Sequence, residues 1–78
     1  MKKVKMVFGR KWFQKSYGNT YHTFELIFDD KTSYTSEIIY GYGSQYAESA
    51  RQYCIQHGYI IDDDTIFESA YVARKKDL

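Results

Sequence analysis

Proline is absent from this 78-residue chain, and cysteine occurs once, as Cys54. A lone cysteine excludes an internal disulfide framework. No stretch approaches 18 consecutive apolar residues, so no membrane-spanning helix is expected. The start Met-Lys-Lys-Val-Lys lacks the apolar run of a secretory signal, and the expected location is therefore the cytoplasm, that of a host cell if the chain is carried by a phage. With no proline and five scattered glycines there is no low-complexity linker and no internal repeat. Aliphatic side chains are also scarce. Nine Tyr, five Phe and one Trp supply much of the apolar set, so the core of what should be a single small domain (residues 1–78) must be largely aromatic.

The net charge of +1 argues against a surface wholly committed to nucleic acid. Its distribution is more informative. Residues 1–23 carry six basic groups (Lys2, Lys3, Lys5, Arg10, Lys11, Lys15) and no acid, whereas residues 24–73 carry two basic groups and nine acids. The tail Arg74, Lys75, Lys76, Asp77 is basic again. A folded molecule with this order is expected to have a basic and an acidic side suited to oriented docking.

Val4, Met6 and Phe8 alternate with Lys3, Lys5 and Val7, predicting a first strand that continues through Gly9 to Phe13. The turn-prone residues 16–20 then lead into a second run in which His22, Phe24, Leu26 and Phe28 share one face and Tyr21, Thr23, Glu25 and Ile27 the other. Asp29, Asp30 and Lys31 make the next turn, and Ser33 to Tyr42, rich in Tyr, Thr and Ile, reads as a third antiparallel strand. Ser44 stands as N-cap before Tyr46, Ala50, Tyr53, Cys54 and His57, whose spacing predicts a helix from Gln45 to His57 closed by Gly58. Thr65 to Arg74 fits a strand, or a short helix capped at Thr65 with Glu68 three residues on; the strand is preferred. The resulting fold class is α+β, in the order β-β-β-α-β, with one helix packed on one face of a mainly antiparallel sheet.

Three segments, Gly9-Arg10-Lys11-Trp12-Phe13, Gly18-Asn19-Thr20-Tyr21-His22 and Tyr40-Gly41-Tyr42-Gly43, resemble a group of short, functionally uncharacterised proteins of the kind carried by phages and mobile elements. The resemblance covers most of the chain up to Ile60, with a weaker match at Val72 to Leu78. It implies a setting in which very small domains occupy a surface of a host machine or bind nucleic acid. The architecture also looks like that of several anti-CRISPR proteins, which makes a host defence system one candidate partner.

If the first strand is unbroken, Lys3, Lys5, Lys11 and Lys15 fall on one face with Phe13, and Arg10 and Trp12 on the other; a bulge at Gly9 would split the stripe. Basic residues interleaved with aromatics suit a phosphate backbone with stacked bases, but lysines also protect an edge strand or offset Glu25 and Glu37 across the sheet. Trp12, Tyr17, Tyr21, Tyr40, Tyr42 and Tyr46 exceed what so small a core can hide, and exposed Tyr and Trp are favoured anchors at interfaces. The glycines before Ser44 lack the Lys of a phosphate loop and suit an ordinary strand-to-helix turn. Cys54 and His57, with His22 as a distant third, are too few for a metal site, and Cys54 lies on the apolar stripe. Asp62, Asp63 and Asp64 lack the pattern of a calcium loop.

No convergent catalytic set is visible, so neither enzymatic activity nor a cofactor or metal is expected. The expected function is that of a binding protein that blocks or redirects a host or phage protein complex, and the alternative is a small single-stranded nucleic-acid-binding module. The expected partner-binding residues are Trp12, Tyr17 and Tyr42 as anchors, with Arg10, Lys11 and Lys15 as the charged rim.

Overall fold

In the computed structural model, which describes residues 2–78, the first two strands form one long hairpin. β1 spans Val4–Gln14 and β2 spans Asn19–Phe28, paired antiparallel from Val4 opposite Phe28 to Gln14 opposite Asn19. Gly18, at φ 68°, supplies the left-handed residue that closes the turn, and its N–H donates to the Gln14 carbonyl at 2.8 Å.

The single third strand expected over Ser33 to Tyr42 is instead two short ones, β3 (Ser33–Thr35) and β4 (Ile39–Tyr40), both antiparallel to β2 along its outer edge. The interruption has a local cause. Ser36 Oγ accepts the Phe24 N–H at 2.9 Å while the Ser36 N–H donates to the Phe24 carbonyl, so one side chain replaces a backbone acceptor and the ladder breaks. Tyr42 falls outside the strand because Gly41, at φ 152°, turns the chain away.

The helix α1 covers Gln45–His57, as its periodicity predicts. Gly58 ends it in the left-handed conformation at φ 71°. Ser44, however, does not cap through its side chain: only its carbonyl accepts the first helical N–H groups, from Ala47 and Glu48. Residues Ile66–Tyr71 form the strand β5, parallel to β1, and a short 3-10 turn follows at Lys75–Asp77. The sheet order is β3/β4, β2, β1, β5, so the α+β architecture holds, with five strands rather than four and the last parallel to its neighbour.

One face of this sheet is buried beneath α1. Val4, Val7, Phe24, Leu26 and Phe28 meet Tyr46, Ala50 and Cys54, which recur every four residues on the helix. The second strand alternates as expected, with His22, Phe24, Leu26 and Phe28 all buried. The first strand does not. A bulge between Val4 and Met6 leaves Lys5 unopposed, so Val4 and Val7 face the core, while Met6 and Phe8 pass to the other face. The lysine stripe of an unbroken strand is therefore split between faces, by a bulge at Lys5 and not at Gly9.

Gly9 sets how closely the helix approaches. A Cβ built there would lie 2.3 Å from Cγ of the Tyr46 ring, a contact no side chain can make without moving the helix. Gly9→Ala should therefore lower stability by about 1–3 kcal/mol through overpacking. Gly18→Ala meets no neighbour within 4 Å and carries only the conformational penalty, on the order of 1 kcal/mol. Urea midpoints of the two variants measure the difference, and equal shifts would contradict the close contact.

Candidate partner-binding end of the sheet

The hairpin turn, the β4–α1 loop and the start of α1 lie together at one end of the molecule. Here the Gly41 N–H donates to the Thr20 carbonyl at 3.0 Å. His22 is buried between them, with Nδ1 3.1 Å from the Gly41 carbonyl and Nε2 3.0 Å from Ser49 Oγ. A carbonyl only accepts, so Nδ1 donates; in the neutral ring Nε2 is then left to accept the Ser49 hydroxyl proton. A Cβ at Gly41 would come within 3.1 Å of His22 Cε1 and 3.0 Å of Gln45 Cβ, so the glycine is matched to the imidazole. His22, Gly9 and Gly41 thus join helix to sheet and leave the aromatic residues of the same segments free for other contacts.

Those aromatics lie on the face that α1 does not cover. Trp12 stacks on Tyr21 with ring centroids 6.0 Å apart, and Tyr21 meets Tyr40 edge-on at 5.6 Å. The register explains the row: Trp12 is opposite Tyr21, and Tyr21 is opposite Tyr40. Tyr40 is 64% exposed, and its hydroxyl donates to Asn19 Oδ1 at 3.5 Å.

The six residues expected to bind a partner share this end but not one surface. Trp12 and Arg10 are on the uncovered face. Lys11 is on the helix face, its Nζ 4.6 Å from the centre of the Tyr71 ring. Lys15 and Tyr17 sit in the hairpin turn, and Tyr42 lies in the β4–α1 loop; Tyr17 and Tyr42 are 75% and 71% exposed. Arg10 is already engaged, with Nη2 3.0 Å from Glu25 Oε1 and its guanidinium over the Phe8 ring. Lys11 and Lys15 take part in no ion pair among the described residues. Tyr21 and Tyr40, not among the six, join Trp12; Tyr21 is found by counting outward from a four-residue turn at 15–18, which sets Gln14 opposite Asn19 and Trp12 opposite Tyr21. Beside the row, Thr23 is 2% exposed and its Oγ1 has no hydrogen-bond partner among the described residues.

Elsewhere, a shallow cleft of about 340 Å³ lies between α1 and the β3/β4 edge, walled by Phe24, Tyr34, Ile39 and Tyr53. Tyr34 and Tyr53 stack at 4.5 Å, and burial together with Tyr34 pushes the Tyr53 hydroxyl above its ordinary pKa. Cys54 is in the core, where burial raises the pKa of its thiol. His57 instead stacks on Tyr53 at 3.9 Å, so Cys54, His57 and His22 do not converge. Among the described residues no three His, Cys, Asp or Glu side chains are grouped to hold a metal ion, and no helix is long and apolar enough to cross a membrane. The chain matches no family model, and neither a curated protein nor a solved structure is detectably similar to it.

The aspartate run forms a turn. Asp62 accepts the Asp64 N–H at 2.9 Å and pairs with Lys3 Nζ at 3.2 Å, and these contacts hold its carboxyl below the usual aspartate range. Hydrogen bonds from Thr32 hold Asp30 low in the same way. A carboxyl lowered in the folded state contributes stability above its unfolded pKa of about 4, and that contribution is lost as pH falls through the folded value. Asp62→Asn should therefore lower Tm at pH 7 and flatten the fall in Tm below about pH 4. Parallel Tm profiles for the two proteins would show that the Asp62 contacts carry no weight.

Proposed function

We propose that this chain is a non-enzymatic binding protein of the phage type, which docks on a macromolecular complex of the host and blocks or redirects it. The observation that carries the reading is the concentration at one end of the row Trp12, Tyr21, Tyr40 on the uncovered face with Tyr17, Lys15 and Tyr42 in the adjoining loops and Lys11 on the opposite face, with no acid between residues 11 and 24. Rigid aromatics supply contact area at low entropy cost, and unpaired lysines favour approach to an acidic surface. A defence complex is one candidate of this kind.

A second reading, contact with single-stranded nucleic acid, is favoured by one feature in particular. The row Trp12, Tyr21, Tyr40 lies across adjacent strands of an uncovered sheet face, the arrangement on which successive bases stack.

The two readings separate experimentally. On the leading one, tagged protein retains a specific complex from host lysate after nuclease treatment, and Trp12→Ala weakens the purified interaction by about 2 kcal/mol, roughly 30-fold. On the second, nuclease releases the bound material. Mixed-sequence oligonucleotides then quench the single Trp12 fluorescence at low salt, with a slope against salt that falls by about 0.7 when Lys15 is removed. Retention unchanged by both Trp12→Ala and Tyr40→Ala would refute docking through this end.

A further inference from the structure

The two edges of the sheet differ. On the β2 side, β3 and β4 are short and interrupted at Ser36 to Ile38, features that blunt an edge against pairing. On the other side β5 is an unbroken six-residue strand that pairs with β1 alone, contains neither proline nor lysine, and bears one charge, Glu68. Ile66 and Tyr71 are exposed on it. The Val72 N–H donates to the Lys11 carbonyl, so by alternation the backbone groups of Ala70, Glu68 and Ile66 also face β1. Those of Phe67, Ser69 and Tyr71 face the open edge.

We propose that this edge is a self-association site, at which β5 pairs antiparallel with β5 of a second copy about a two-fold axis through Ser69. Four features of the chain agree on that register. Ser69 opposes Ser69 of the second copy as a hydrogen-bonded pair, using the outward-facing groups. Phe67 opposes Tyr71 on the helix side, joining two aromatics. Glu68 opposes Ala70, whereas an axis through Glu68 would set two carboxylates face to face. The flanks are complementary as well: Asp62, Asp63 and Asp64 precede β5 by the same spacing from Ser69 at which Lys76, Lys75 and Arg74 follow it. Antiparallel pairing therefore brings the acidic flank of each copy to the basic flank of the other, and an isologous contact makes every such approach twice. Asp63, Lys75 and Lys76 are in no ion pair among the described residues.

Sedimentation velocity of the purified protein from micromolar to millimolar concentration provides the test. The expected species has twice the 9.3 kDa chain mass. The variant Lys75→Glu, which leaves the β5 backbone intact, should weaken the dimer at least tenfold, and mixing it with Asp63→Lys, the residue that opposes it in this register, should restore pairing as a heterodimer. In a Cys54→Ala background, Ser69→Cys should oxidise to a covalent dimer, since opposed hydrogen-bonded residues have Cα atoms about 5.5 Å apart, within disulfide range. Glu68→Cys should not. A chain that stays monomeric throughout, a dimer indifferent to charge reversal, or equal crosslinking at both positions would overturn the proposal. None of these readouts involves the hairpin end, so the result is independent of the docking partner.

Discussion

One helix of 13 residues is about 20 Å long, while an 11-residue strand extends about 37 Å, and this mismatch governs the rest of the molecule. A single α1 can bury only one face of the sheet, and only part of its length. It is held over that part by two close fits, the Tyr46 ring against Gly9 and the His22 imidazole between Gly41 and Ser49. What it cannot reach, the distal hairpin and the second face, retains Tyr17 and the row Trp12, Tyr21, Tyr40. The elongated shape, 42 × 20 × 19 Å, has the same origin.

The parts of the fold legible in the sequence were those whose pattern has one physical cause. In β2 a single buried face dictates the alternation of His22, Phe24, Leu26 and Phe28. In α1 the recurrence of Tyr46, Ala50 and Cys54, stopped by a glycine free to turn left-handed, fixes both length and orientation. The faces of the first strand are not legible because Met6 and Val7 are equally apolar, and nothing local shows that a bulge precedes them. The break at Ser36 was hidden for a different reason: a serine replaces a backbone partner only when a neighbouring strand presents the matching N–H, which is a tertiary fact. The parallel direction of β5 likewise depends on where α1 returns the chain.

The candidate site shows the same division. Trp12, Tyr17 and Tyr42 could be singled out because an aromatic excess must reach the surface, and Tyr17 and Tyr42 do so. Composition could not assign Arg10, whose charge is taken up by Glu25 across the hairpin, nor separate Lys11 from Trp12 by a sheet thickness. Adjacent residues of a strand serve opposite faces, so a basic and aromatic run that reads as one patch is two. The row Trp12, Tyr21, Tyr40 is instead assembled from three strands, its neighbours nine and nineteen residues apart in the sequence but adjacent through cross-strand pairing.

Pairing through β5 would bear on how the hairpin end is used. A two-fold axis perpendicular to the sheet keeps both uncovered faces on the same side of one continuous sheet and directs the two hairpin ends away from each other. Two aromatic rows would then be presented in one plane, too far apart for a single small ligand but suited to a repeating or extended partner. Such a partner would bind the second row at an effective concentration set by the rigid sheet, so that modest contacts at each end combine into avidity. The scarcity of apolar core that follows from one short helix on a long hairpin would at the same time be offset, because association that favours only the folded chain stabilises it by mass action.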